Sequence, residues 1–171
     1  PTLAMFDLPA KLVSNVTIML AETQALELEK FLPYRLSVLA QLVSESLHDL
    51  YAEPYGLSVT QWRVMAALGR FAPLTASEVG LRIVMDKVAV SRAVAGLMKR
   101  GLVERATDQE DRRREPLRLT AKGRTMHDEI VPLALRYESD LYQALSAEER
   151  QTLNGLCDRL FAHAKLLRNH P

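Results

Sequence analysis

Around Gly101 the spacing of apolar residues changes from the helical period to the strand period, and few folds accommodate that change. Upstream, Val90, Val94, Leu97 and Met98 mark one face of a helix that Asp86 can cap and Gly101 can end. Downstream, Leu102–Thr107 and Pro116–Thr120 read as two short strands, with Leu117 and Leu119 alternating around Arg118. Between the strands, seven of the eight residues Asp108–Glu115 are charged, too polar a run to pack, so it reads as an exposed hairpin tip.

The rest of the chain reads as helix. Pro33 suits a first turn, and Leu36, Leu39, Val43, Leu47 and Leu50 form an apolar stripe that Pro54 and Gly56 are expected to end. Ser58 with Gln61, Thr75 with Glu78, and Ser146 with Glu149 are three capping-box pairs, each marking a helix start. Phe71–Pro73 breaks the first of these helices. Thr120 caps a long helix with Met126, Ile130, Leu133, Tyr137 and Leu141 facing inward and an expected kink at Pro132. The last helix carries Leu153, Leu156, Leu160, Ala164 and Leu167 on one stripe. The order predicts a mainly α fold, a winged helix-turn-helix whose long terminal helices form an intertwined dimerisation region. We divide it into an N-terminal extension (1–30), a helical dimerisation region (31–56 and 121–171) and a DNA-binding lobe (57–120).

Charge supports that division. The 171 residues carry a net charge of +1, but residues 82–124 hold twelve basic and six acidic side chains, so a basic middle lies between acidic flanks. Such a stripe is the electrostatic footprint of a nucleic-acid binder, although a solvated surface reads the same way. In a helix-turn-helix the second helix enters the major groove. Here its outer face presents Lys87, Val88, Ser91, Arg92 and Ala95. Lysine, arginine and serine can donate to base edges or phosphates, and Val88 can meet a thymine methyl. Thr75 and Ser77 open the preceding helix and complete the expected contacts. On the hairpin tip, Arg113 suits a narrow minor groove, Asp111 can aim it, and Arg112 and Arg114 are alternates for the same position.

The chain resembles the MarR family of bacterial transcription regulators over about residues 31–168. The resemblance is carried by Leu74–Val79, Val90-Ser91-Arg92, Leu97–Arg105, and Asp111-Arg112-Arg113 followed by Leu117–Gly123 with its Leu-Thr-x-x-Gly pattern. It implies a homodimer on double-stranded DNA, at a palindromic operator. Such a regulator usually represses a nearby gene until a ligand loosens it. The family's wing aspartate and arginine fall on Asp111 and Arg113. Regulators that it resembles often bind aromatic acids, and some sense coenzyme A thioesters. Such a ligand needs an apolar slot with one or two cations or donors. Tyr34, Arg35, Ser44, His48, Trp62, Arg63 and His127 are the candidates here, with Arg35 or Arg63 facing a carboxylate and Trp62 stacking. Each also has an ordinary reading as core or surface.

Other chemistries find less support. No G-x-S-x-G elbow, P-loop, H-E-x-x-H or dinucleotide-binding motif is present, so an enzyme is not expected, and no cofactor is called for. The single cysteine, Cys157, rules out an internal disulfide and reads as filler on the last apolar stripe rather than as an oxidation sensor. His48, His127, His163 and His170 are scattered, so no metal site is expected. No apolar run is long enough to span a membrane, Leu12–Leu20 does not read as a signal peptide, and a cytoplasmic location is expected. The alternative to a ligand-responsive regulator is a winged-helix module that binds DNA or protein without sensing a small molecule.

Overall fold

The computed structural model describes residues 26–106 and 115–169. The chain divides into two compact units, Pro1–Val43 and Ser44–Pro171. It is mainly helical. Helix α1 spans Leu32–Asp49, α2 Ala52–Tyr55, α3 Val59–Phe71, α4 Ala76–Ile83 and α5 Lys87–Lys99. Strands β1 (Val103–Arg105) and β2 (Leu117–Leu119) follow, then α6 (Ala121–Leu141), a 3-10 turn (Tyr142–Ala144) and α7 (Ala147–Asn169).

Most helix starts lie where the local chemistry fixes them. Ser58 and Gln61 exchange both capping-box hydrogen bonds, as do Thr75 and Glu78, and Ser146 and Glu149. The Asp86 carboxylate accepts from the Ala89 amide, and the Thr120 hydroxyl accepts from the Gly123 amide. The first helix departs from expectation. It stops at Asp49, and Pro54 and Gly56 instead belong to the end of the one-turn helix α2, where Gly56 takes a left-handed conformation at φ 59°. Both strands are shorter than the runs expected at 102–107 and 116–120. Helix α6 continues through Pro132 to Leu141 without a break.

The core of the second unit forms where α3, α4, α5 and α6 meet the sheet. Val64, Met65, Leu68, Val79, Val90, Leu97, Leu102 and Ile130 are buried there with Tyr51 and Trp62. The two strands pair antiparallel, with Val103 opposite Leu119 and Arg105 opposite Leu117. Leu74, just before α4, adds a bridge that the period-2 pattern did not reveal: its amide and carbonyl both bond to Leu117. The outer stripes find less cover. Ile130 is buried as expected and Met126, Leu133 and Tyr137 are half-buried, but Leu141 is exposed. Leu153, Leu156, Leu160 and Leu167 on α7 are all exposed on the single chain. Cys157, read as covered filler, is exposed with them. Among the described residues no helix is long and apolar enough to cross a membrane.

Candidate nucleic-acid interface

Helix α5 is amphipathic, and its core side fixes which residues face outward. Val90, Ala93, Val94 and Leu97 are buried against the neighbouring helices. One turn round, Lys87, Val88, Ser91, Arg92 and Ala95 are all exposed, so the structure brings the expected reading residues onto one face. Asp86 anchors the first turn by capping it. On α4, Ser77 is exposed, whereas Thr75 is half-buried and its hydroxyl serves the cap, donating to Glu78 and accepting from the Glu78 amide. Asp111, Arg112, Arg113 and Arg114 lie outside the described residues, as does all of the charged tip except Glu115, which is exposed and paired with Arg105.

The basic middle sorts into cations used by the fold and cations left over. Arg100 donates to the carbonyls of Tyr55 and Gly56 at 2.6 and 2.8 Å, tying the end of α5 to the end of α2. Lys122 donates to the Arg100 carbonyl, and Arg124 to the Gly69 carbonyl. Arg118 pairs across the sheet with Glu104 at 2.7 Å, and Arg82 lies over the Phe71 ring with its guanidinium carbon 4.2 Å from the centroid. Lys87, Arg92 and Lys99, by contrast, have no bonding partner among the described residues. Counting charge along the sequence could not make this distinction, because carbonyls 44 and 45 residues away satisfy Arg100.

The base of the wing is held by the Leu-Thr-x-x-Gly segment. The Thr120 hydroxyl donates to the Gly101 carbonyl at 2.7 Å, and the Thr120 amide donates to the Leu102 carbonyl at 3.1 Å. Gly101 ends α5 with φ 67°, which turns the chain into β1. Gly123 sits so close that a Cβ there would lie 1.9 Å from the Leu102 carbonyl oxygen.

Within the second unit Ser44, His48, Trp62, Arg63 and His127 are linked through Trp62 and Arg63, and within the first unit Tyr34 and Arg35 adjoin. Trp62 and Arg63 line a cleft of about 390 Å³ between α3 and α4, together with Ala66, Phe71, Arg82 and Ile83. Neither Phe71 nor Arg82 stood out in the sequence, where Phe71 marked a helix end and Arg82 was one cation among twelve. Within the first unit, Tyr34 and Arg35 line a hollow of about 460 Å³ along α1 with Leu36 and Leu42. The Arg63 guanidinium also reaches the Ser44 hydroxyl at 3.4 Å. His48 and His127 join the cleft residue Trp62 in a row of rings: His48, Tyr51, Trp62 and His127 follow one another at centroid distances of 5.3, 5.6 and 5.9 Å. His48 Nε2 is 3.2 Å from the Leu57 carbonyl, and His127 Nδ1 is 2.8 Å from Asp128. Burial pushes the Tyr51 hydroxyl up from its usual range, and the nearby Arg63 charge opposes the shift.

Comparison with known proteins agrees with this architecture. The model of the MarR family matches residues 55–114. An uncharacterized HTH-type transcriptional regulator of Bacillus subtilis, YwoH, is 25% identical over 127 residues, covering 74% of this chain and 91% of its own. A putative transcriptional regulatory protein for the hcr operon of Thauera aromatica is 33% identical over 88 residues, covering 52% of this chain and 53% of its own. Among solved structures, the MarR family transcriptional regulator SPO1453 of Silicibacter pomeroyi superposes with a TM-score of 0.67 at 29% identity, covering 78% of this chain and 97% of its own.

Proposed function

The chain is a transcriptional regulator of the MarR family, and from that premise we propose that it is a sequence-specific, ligand-responsive DNA-binding homodimer acting in the cytoplasm. The observation that carries this reading is the outer face of α5. Beside Ser91 and Val88, Lys87 and Arg92 have no bonding partner among the described residues, while Arg100, Arg118 and Arg82 are held by carbonyls, a carboxylate and a ring. A helix that leaves two cations, a hydroxyl and an apolar group on the outer face of its first two turns has what a major groove requires. Ser77 and Thr75 would lie towards the backbone, and the wing residues Asp111, Arg112, Arg113 and Arg114 would reach the adjacent minor groove. A second copy would cover the exposed stripes of α1 and α7, matching a palindromic operator by symmetry.

The cleft beside Trp62 supports the sensing part of the proposal. Two guanidinium groups, Arg63 and Arg82, flank an apolar lining, which suits an aromatic acid or its coenzyme A thioester. Occupying it would press on α3 and α4 and release the operator, the behaviour of a repressor.

The test is repeated selection from a random duplex pool, followed by titration of the enriched duplex. The expected product is an inverted repeat with half-site centres about 10 base pairs apart. Failure to enrich any sequence above the random pool would overturn the reading.

A further inference from the structure

Large apolar side chains are scarce on the outside of the lobe, and they are concentrated at one place. Among the described residues from 57 to 120, Phe71, Leu81, Val84 and Val88 are the exposed ones. Phe71 lies under Arg82. The other three fall within eight residues at the corner joining α4 to α5 and are 77%, 57% and 58% exposed.

Val84 is also strained. It ends α4 at φ 52° and ψ 50°, the left-handed region that suits glycine or asparagine and penalises a β-branched side chain. The corner cannot relax it. The Val84 and Met85 amides both donate to the Gly80 carbonyl, and Asp86, two residues after Val84, caps α5. Packing does not account for the valine, because more than half of it is exposed. A strained, exposed residue held by its surroundings points to a function for the side chain itself.

We propose that Val84 and Val88 form an apolar contact surface for thymine methyl groups in the major groove. This rests on the DNA-binding reading above and names the base chemistry that the site selects. The two valines flank Asp86 and Lys87, and Lys87 and Arg92, which have no bonding partner among the described residues, supply the charge that draws this corner to phosphates. The thymine C5-methyl is the apolar group on the major-groove wall, and a valine meets it without losing a hydrogen bond.

The experiment compares the selected duplex with a copy in which deoxyuridine replaces thymidine, a change that removes the methyl and keeps every hydrogen-bonding group. The expected result is weaker binding of the uracil copy, about fourfold for each methyl contacted. Val88→Ala is expected to shrink that ratio while α5 stays helical. Val84→Gly is expected to shrink it while raising the melting temperature, because it relieves the strained turn. Equal binding of the two duplexes by the unmutated protein would overturn this inference and leave the DNA-binding reading standing. A Val84→Gly variant with an unchanged ratio would remove Val84 from the contact. Failure to select any duplex would overturn both readings.

Discussion

At residue 123 two backbones meet with no room for a side chain. The Thr120 side chain and amide draw the start of α6 onto Gly101 and Leu102, and Gly123 is what permits the approach. The obstructing atom is a backbone carbonyl that two strands and a helix end hold in place, so it cannot swing aside. Gly123→Ala is therefore expected to destabilise the fold by about 2–3 kcal/mol, read by urea denaturation. Loss of less than 0.5 kcal/mol, roughly the effect of an ordinary surface substitution, would show that the junction yields. The Leu-Thr-x-x-Gly pattern was visible in the sequence as a family trait. Its physical meaning was not, because the clash depends on Leu102, which is distant along the chain.

At the scale of elements, the cations of residues 82–124 separate by what surrounds them. Arg118 answers Glu104 across the sheet, and Lys87, at the entering turn of α5, has no bonding partner among the described residues. In salt titrations of the selected duplex, Lys87→Gln is expected to lower the slope of log affinity against log salt by about 1 per half-site. Arg118→Gln is expected to leave that slope unchanged. The reverse pattern would place the phosphate contacts on the sheet. The helix starts were readable because a cap involves residues three apart: Ser58, Thr75, Asp86, Thr120 and Ser146 all behave as their neighbours dictate. The end of α1 and the Leu74 bridge were not readable, since both are decided by packing and pairing with distant residues. The cleft at Trp62 was half readable. Its tryptophan and Arg63 stood out by type, while Phe71 and Arg82 join them through the turn between α3 and α4.

For the whole molecule, α7 matters most. Every described side chain from Gln151 to Arg168 is exposed on the single chain, including Leu153, Leu156, Leu160 and Leu167. A helix with that many exposed leucines needs a counterpart, and a second copy is the proposed one. Sedimentation at micromolar concentration is expected to give twice the 19.2 kDa chain mass. The double variant Leu156→Glu, Leu160→Glu is expected to shift this towards the monomer and to weaken operator binding with it. A wild-type chain that stays at 19.2 kDa would overturn the dimer.

The bareness of α7 has a consequence for dosage. If a second copy covers α7 as proposed, the chain ties its own integrity to how many copies the cell holds. Scarcity would leave the terminal segment to fray and be trimmed by proteases, whereas abundance would protect it. Supply would then set the threshold for control before any effector arrives.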